Sequence, residues 1–293
     1  AIGYIVGRVL VATIILPMYF RGELFTAYQV LATRFGGATR WCSAVIFLVT
    51  RNLGDGLRLY LTAVVLERLT GLSLNSSIVL IGVTTIIYTV YGGMKSVVWN
   101  DCIQLVVYLL GGLAALIVIA QRLPDGWSQI QQFGLENHKF QFIDTAFDFK
   151  IPLTLWGGVI GGIFLTLGTH GTDQMMVQRY LSARSQREAG RAVIISGLIV
   201  FAQFALFLYL GIALAAYYAQ FPPDIAFTKG DQVFATFIVQ DMPIGVGLVG
   251  LLLAAVFLAA MSTLSSSLNS SATSATNDIY LPLCLKNPPN DRK

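Results

Sequence analysis

The sequence predicts an all-α membrane protein, a bundle of helices that crosses the bilayer several times. Two features of the composition lead to this class. Of the 293 residues, 55% are hydrophobic and only 12% are charged, whereas a soluble globular domain carries about 25% charged residues. The mean hydropathy is +0.69, and several continuous apolar runs reach the roughly 18 residues that a membrane-spanning helix needs.

Seven apolar segments are predicted as spans, and the breaker pairs Gly92-Gly93 and Pro222-Pro223 each end one of them. The more polar stretch Arg21–Arg40 keeps an apolar stripe, which favours a short helix at the membrane surface. The predicted spans are Ile2–Phe20, Trp41–Leu66, Ser73–Tyr91, Val97–Ala120, Leu153–Leu167, Ala192–Gln220 and Ile244–Ser266.

The ends of the chain and its basic residues add two expectations. The sequence begins at Ala1, and Arg8 interrupts the first apolar run, so we expect no signal peptide and expect an excerpt of a longer protein. The loops that carry Arg21 and Lys95 hold more Lys and Arg than those of the other set. The positive-inside rule therefore makes the first set cytoplasmic. The segment Gln121–Lys150 is then external, and its apolar spacing predicts a helix lying on the surface.

Several function classes are not supported by the residues. A net charge of +4, scattered along the chain, does not indicate a nucleic-acid partner. Cys42, Cys102 and Cys284 lie far apart, without the spacing of a metal site. The two histidines, His138 and His170, have no clear catalytic partner in the sequence, and no phosphate-binding glycine loop carries a lysine. We therefore expect neither an enzyme nor an ATP-driven pump.

The second span carries three charges, which are expensive inside a membrane. Arg51, Asp55 and Arg58 are spaced four and three residues apart, so they share one helix face and are predicted to pair. A structural ion-pair ladder and the lining of a pathway both fit this pattern.

The fifth span is rich in glycine. Such a run either lets two helices approach closely or marks a helix that unwinds to expose backbone groups. The polar cluster from Thr169 to Gln174 that follows favours the unwound helix. An ion pair between Asp173 and the nearby Arg179 is the structural alternative for that aspartate.

The seventh span ends in hydroxyl residues. Ser262, Ser265 and Ser266 share a helix face, and their oxygens suit a hard cation, which prefers oxygen ligands. Membrane serines also bond to their own helix or to a neighbouring one, which leaves that alternative open. Asp101, at the start of the fourth span, could complete a cation site or simply cap its helix.

Four ordered motifs resemble the sodium:solute symporter family over almost the whole chain. The most specific is GTHGTDQMMVQRYLSA at residues 168–183. The others are LPMYF with the later FG at residues 16–36, YTVYGGMKSVVWNDCIQ at residues 88–104 and STLSSSLNS at residues 262–270.

The resemblance implies a core of five plus five helices in inverted repeats with a broken helix. This chain would be a single, incomplete transporter domain, residues 1–293, holding core helices 2 to 8. It also implies a common sodium site and allows a second one, which only some members of the family have. The common site resembles the Ala259 carbonyl with the Ser262 and Thr263 hydroxyls, completed by core helix 1, so we expect this excerpt alone to hold sodium poorly there. A second site resembles Asp101 with Ser262, Ser265 and Ser266.

The implied function is sodium-coupled uptake of a small organic solute by alternating access, in the plasma membrane and without an organic cofactor. Thr169, His170, Asp173 and Gln174 are predicted to line the solute pathway. Sugar carriers of the family have Tyr and Trp where this sequence has Thr169 and His170, which weakens the expectation of a sugar. An uncoupled channel, an intramembrane enzyme and a sensor module are the rival interpretations.

Overall fold

The structure is a computed structural model, and it describes residues 2–21, 26–141, 143–147, 154–223, 227, 230–242 and 248–284. Within these ranges the elements are all helical, with no strand. The predicted all-α class is therefore confirmed.

Within the described residues, four π-helical segments directly continue α-helices. The π-helical segments are Val11–Ile15, Leu167–Thr172, Phe237–Asp241 and Ala275–Tyr280. The α-helices are α1 (Ile2–Leu10), α2 (Leu16–Phe20), α3 (Tyr28–Phe35), α4 (Gly37–Thr70), α5 (Leu74–Arg122), α6 (Gly126–Glu136), α7 (Leu155–Thr166), α8 (Gln174–Leu181), α9 (Gln186–Gln220), α10 (Asp231–Thr236), α11 (Leu248–Ser274) and α12 (Leu281–Cys284).

Three helical stretches of the described chain are long and apolar enough to cross a membrane: Ile2–Phe20, Leu74–Arg122 and Gln186–Gln220. They contain the first, fourth and sixth predicted spans and all of the third except Ser73. The second, fifth and seventh fall on α4, α7 and α11, except that Leu153 and residues 244–247 lie outside the described residues. Seven crossings stay a prediction.

Two of the predicted helix breaks are confirmed. Within α5, Gly93 has φ 52° and ψ −148°, so the element is two helices joined across a kink. Glycine adopts a positive φ without the steric cost that a Cβ brings. α9 ends at Gln220, two residues before Pro222, in agreement with the predicted proline break.

The surface helix predicted over Arg21–Arg40 is shorter than expected. α3 covers Tyr28–Phe35, and residues 22–25 lie outside the described part of the chain. Gly36 ends α3 with φ 87°, and α4 starts at the next residue. Arg40 therefore belongs to the long helix α4, a correction caused by the glycine-specific backbone at position 36.

The chain divides into two units, and the first comprises residues 1–101, 159–197 and 259–293. In this unit, glycines bring α1 against α7. A Cβ added at Gly7 would lie 2.6 Å from the Thr166 Cβ, and one at Gly162 would lie 3.3 Å from the Gly3 backbone. The close approach that the glycine run allowed is thus present.

The helix interruption of this unit lies beyond the glycine run, not within it. α7 continues as the π-helical segment Leu167–Thr172, and the backbone then becomes extended at Asp173, with φ −70° and ψ 123°. α8 starts at the next residue. The Tyr19 hydroxyl donates to the Gly171 carbonyl at 2.6 Å, so the looser turn keeps a hydrogen-bond partner there.

The second unit comprises residues 102–158 and 198–258. Its apolar core joins α5, α6, α9 and the segment Phe237–Asp241, with Ile119, Ile130, Leu210 and Phe237 among the most buried side chains. The predicted helix after the fourth span is present as α6, and residues 142 and 148–150 lie outside the described chain. A single domain over residues 1–293 stays a prediction.

We predict that Gly7→Ala lowers the thermal stability of the full-length protein in detergent. The added methyl group would overlap Thr166, and overpacking of this kind costs about 1–3 kcal/mol. Gly161→Ala on α7 is the matched control, because a Cβ there meets no atom within 4 Å. Equal unfolding midpoints for the two variants would contradict the packing of α1 on α7.

Candidate functional site

Buried hydroxyl groups line one side of α11. Ser262, Ser265 and Ser266 are each at most 3% exposed, in agreement with the helix face that their spacing predicts. Three more serines continue the row at the same depth: Ser267, Ser270 and Ser274. Buried hydroxyls need hydrogen-bond partners, and the row finds several of them in aspartates.

Asp101 of α5 contacts the N-terminal part of this row of serines. The Ser262 hydroxyl donates to Asp101 Oδ1, and Arg179 Nη2 of α8 lies 2.7 Å from Asp101 Oδ2. The same Nη2 donates to Ser266 Oγ at 2.6 Å. Three residues of the predicted second cation site, Asp101, Ser262 and Ser266, are therefore gathered around one guanidinium group.

Asp101 does not cap a helix. It lies about two turns beyond the kink at Gly93, and its carboxylate is used by Ser262 and Arg179 instead. The capping alternative is therefore wrong. The ion pair considered between Asp173 and Arg179 is also absent from the described contacts, because Arg179 pairs with Asp101.

The rest of the predicted cation ligands lie on α11 as well. The hydroxyl groups of Ser265 and Thr89 are 2.8 Å apart, so Ser265 also links α11 to α5. Ala259 and Thr263 are one helical turn apart on α11. Their spacing from Ser262 is the i, i+3, i+4 pattern that lets neighbouring turns present oxygens on one side.

A second aspartate, Asp55 of α4, contacts the same row of serines further along α11, at Ser267. Arg51 Nε lies 3.3 Å from Asp55 Oδ2, and Arg58 Nη1 lies 3.4 Å from Asp55 Oδ1. The Ser267 hydroxyl donates to Asp55 and accepts from Arg51 Nε at 2.7 Å. The predicted pairing is confirmed, and because it ties α4 to α11 it favours the structural role.

A third aspartate was not found by sequence reasoning. Asp278, in the segment Ala275–Tyr280, has a side chain with 0% exposure and lies 2.7 Å from Arg40 Nε. Thr26 and Ser274 donate to it at 2.7 and 3.0 Å. The only sequence signal is the spacing of Ser274 and Asp278, four residues apart, which places both on one helix face.

Asp173 and Gln174 carry out local structural tasks. Asp173 Oδ1 accepts from the Met175 backbone N–H at 2.8 Å, which makes it the N-cap of α8. Gln174 is fully buried, and its Oε1 accepts from the Ala27 backbone N–H at 2.6 Å. Their place in a solute pathway stays a prediction.

Thr169 and His170, in contrast, contact each other. His170 Nδ1 lies 2.9 Å from Thr169 Oγ1, and His170 Nε2 lies 3.1 Å from Arg8 Nη2 of α1. Arg8 is 5% exposed, and sequence reasoning did not include it among the site residues, although its position in an apolar run was the available signal.

An interrupted helix beside buried charges and hydroxyls, in a chain with long apolar helices, is typical of a membrane transporter core. The comparisons give the family. The model of the sodium:solute symporter family matches residues 1–293, and the chain belongs to this family. Its members are membrane transporters rather than enzymes.

Individual relatives agree with this assignment. The chain is 34% identical to the sodium-dependent multivitamin transporter of Oryctolagus cuniculus, over 95% of this chain and 44% of that protein. It is 29% identical to the human sodium/iodide cotransporter, over 96% of this chain and 44% of that protein. The chain thus spans about half the length of the curated relatives it matches.

A solved structure shows the same fold. It is the substrate-bound, outward-open state of a Na⁺-coupled sialic acid symporter, described as revealing a novel Na⁺ site. The TM-score is 0.82 at 29% identity, over 98% of this chain and 61% of that one. The predicted transporter fold is confirmed at this level, and the inverted repeats stay a prediction.

We predict energetic coupling between Asp101 and Arg179. In sodium-free potassium buffer, Arg179→Gln should lower the thermal stability of the full-length protein, because Asp101 loses its counter-charge. Adding Asp101→Asn should recover part of the loss. Both side chains are about one quarter exposed, so we expect a coupling of about 1 kcal/mol in a double-mutant cycle. Strictly additive effects would contradict the pair.

Proposed function

We propose that the protein containing this chain couples the entry of sodium to the uptake of a small organic solute by alternating access. It would act as a multi-pass protein of the plasma membrane, with the residues of this chain forming one transporter domain. The observation that carries the proposal is the row of buried hydroxyls on α11 that reaches the Asp101 carboxylate through Ser262. Oxygen groups of this kind suit a hard cation.

The first proposed sodium site uses the Ala259 carbonyl with the Ser262 and Thr263 hydroxyls. These groups supply three oxygens, fewer than the six or so that hard cations take in the calcium and magnesium cases. Other parts of the whole protein would complete the shell. Ser262 is shared with the second proposed site, so occupation of one site affects the other.

The second proposed site uses Asp101 with Ser262, Ser265 and Ser266. Arg179 supports this proposal, because its guanidinium already supplies a positive charge beside Asp101 and Ser266. Sodium and Arg179 then compete for the same carboxylate. A cation that binds better to the form with Arg179 withdrawn shifts the protein toward that form, since a ligand shifts populations only by its differential affinity.

The driving force comes from the ion. Each charge that crosses the membrane potential contributes about 2.3 kcal/mol per 100 mV, and the sodium concentration gradient adds to it.

The solute pathway is proposed to run close to the interruption at Asp173, along Thr169, His170, Asp173 and Gln174. Arg179 lies on α8, directly after that interruption, so displacement of Arg179 acts on the same segment.

We predict that sodium stimulates solute uptake by the full-length carrier in proteoliposomes and that Ser262→Ala combined with Thr263→Ala abolishes the stimulation. Loss of two hydroxyl ligands removes most of the first site supplied by α11. Ser271→Ala is the matched control, because Ser271 lies on the same helix outside both proposed sites. Uptake unchanged when choline replaces sodium would instead favour the uncoupled channel or facilitator.

We predict a second effect for Asp101→Asn. If two sodium ions bind, removal of the carboxylate should lower the Hill coefficient for sodium from above 1 toward 1, while transport through the first site persists. The measurement is the initial uptake rate against sodium concentration at fixed ionic strength. A Hill coefficient that is the same in the variant and the parent protein would exclude Asp101 as a sodium ligand.

A further inference from the structure

Arg8 is the one described arginine of the first unit that is deeply buried without a carboxylate beside it. The residue is 5% exposed, and no described carboxylate lies within 4 Å of its guanidinium. The half-buried arginines that contact α11 or the segment after it, or pair with a residue that does, each have an aspartate: Arg40 has Asp278, Arg51 has Asp55 and Arg179 has Asp101. Leaving a charge without a counter-charge in an apolar interior is costly.

All contacts of the Arg8 guanidinium are with neutral groups. Nη1 donates to the Val193 carbonyl at 3.4 Å and to the Ser196 hydroxyl. Nη2 lies 3.1 Å from His170 Nε2, and the guanidinium carbon lies 5.1 Å from the centre of the Tyr4 ring. These groups orient the cation and leave its charge uncompensated.

The histidine in this cluster is in its neutral form. Arginine has no acceptor atom, so His170 Nε2 must accept the hydrogen bond from Arg8. His170 Nδ1 then carries the proton and donates to Thr169 Oγ1 at 2.9 Å, while the Thr169 hydroxyl donates to the Leu165 carbonyl at 2.9 Å. His170 is therefore uncharged, and it does not balance the positive charge of Arg8.

Part of the Arg8 guanidinium has no hydrogen-bond partner. Of its five N–H donors, the Nε–H is buried and has no hydrogen-bond partner. Nη2 makes a single contact, to His170, so one of its two N–H groups is also available. A carboxylate has two oxygens that can accept from the N–H groups of one guanidinium, and arginine is the residue best suited to this pairing.

Two π-helical segments of the backbone lie at the Arg8 cluster. The π-helical segment Val11–Ile15 starts three residues after Arg8, and Leu167–Thr172, which contains His170, is the second π-helical segment of this cluster. Such segments within helices occur frequently at functional sites. Arg8 is buried, His170 half-buried and Thr169 exposed, so the cluster runs from the interior of the unit to its surface.

We propose that Arg8, flanked by Tyr4 and His170, binds the carboxylate group of the transported solute, and that the solute is therefore a small organic anion. This assignment rests on the proposed transport function and narrows its solute class. A carboxylate would complete the donors of Arg8 and neutralise its charge, whereas an uncharged solute such as a sugar would do neither. An organic cation would be repelled.

The test compares acids with their neutral amides on the purified full-length carrier. The probes are lactate with lactamide, benzoate with benzamide and glucuronate with glucuronamide, each scored by the shift in thermal unfolding midpoint in the presence of sodium. At least one acid should stabilise the parent protein while its amide does not. No stabilisation by any of the three acids, or equal stabilisation by an acid and its amide, would overturn the proposal.

Substitutions of Arg8 test whether this residue binds the acid. Arg8→Gln should weaken binding of the stabilising acid by about tenfold or more, as expected for loss of a charged hydrogen-bond partner. Arg8→Lys should keep the preference for acid over amide. Arg34→Gln, which removes an exposed arginine of α3, should leave binding unchanged. An acid that binds Arg8→Gln as well as the parent protein would overturn the assignment to Arg8.

A further variant adds the missing negative charge to the protein itself. Ser196→Asp places a carboxylate where the Ser196 hydroxyl now contacts Arg8, so it should raise stability without ligand and abolish stabilisation by the acid.

Stabilisation by sodium alone is recorded in every sample. Its absence from the parent protein would contradict the sodium-coupled function, whereas its presence without any acid effect would contradict the Arg8 site alone.

Discussion

A carboxylate among apolar helices is stable only beside a cation and hydrogen-bond donors, and this requirement organises the polar interior of the first unit. Asp101, Asp55 and Asp278 each pair with at least one arginine and accept from one serine of the same helical row, Ser262, Ser267 and Ser274 respectively. The row on α11 is thus the element to which α4, α5 and α8 are all connected through charge. The sodium site that we propose uses the part of this row where the aspartate is the most exposed of the three, at Asp101.

The same requirement explains why two arginines are of mechanistic interest. Arg179 holds the carboxylate that we assign to sodium, and no described carboxylate lies within 4 Å of Arg8, whose Nε–H is buried without a hydrogen-bond partner. They are connected through one segment, because His170 precedes the interruption at Asp173 and Arg179 follows it. In the proposed cycle, sodium at Asp101 releases Arg179, and the change in α8 reaches His170 and Arg8 through Asp173. Ion and solute are then coupled through a single short stretch of chain.

Local features of the fold were predictable from the sequence, and partners distant in the chain were not. The break at Gly93, the Arg51–Asp55 pair and the buried face of Ser262, Ser265 and Ser266 follow from glycine freedom and helical spacing. Arg40 and Asp278 are 238 residues apart, and spacing contains no information about such pairs. Periodicity likewise did not show that Arg179 contacts Asp101 and not the nearby Asp173, because Asp173 is used to cap α8. The motifs that resemble the family supplied the ligand sets that spacing left open.

Direct binding of radioactive sodium to the purified full-length carrier tests the central claim, that the α11 hydroxyls and Asp101 hold the coupling ion. The account predicts saturable binding that Ser262→Ala reduces most, because this hydroxyl belongs to both proposed sites, and that Arg179→Gln strengthens, because a competing cation is removed. Ser262→Ala that binds sodium with unchanged stoichiometry and affinity would contradict the account.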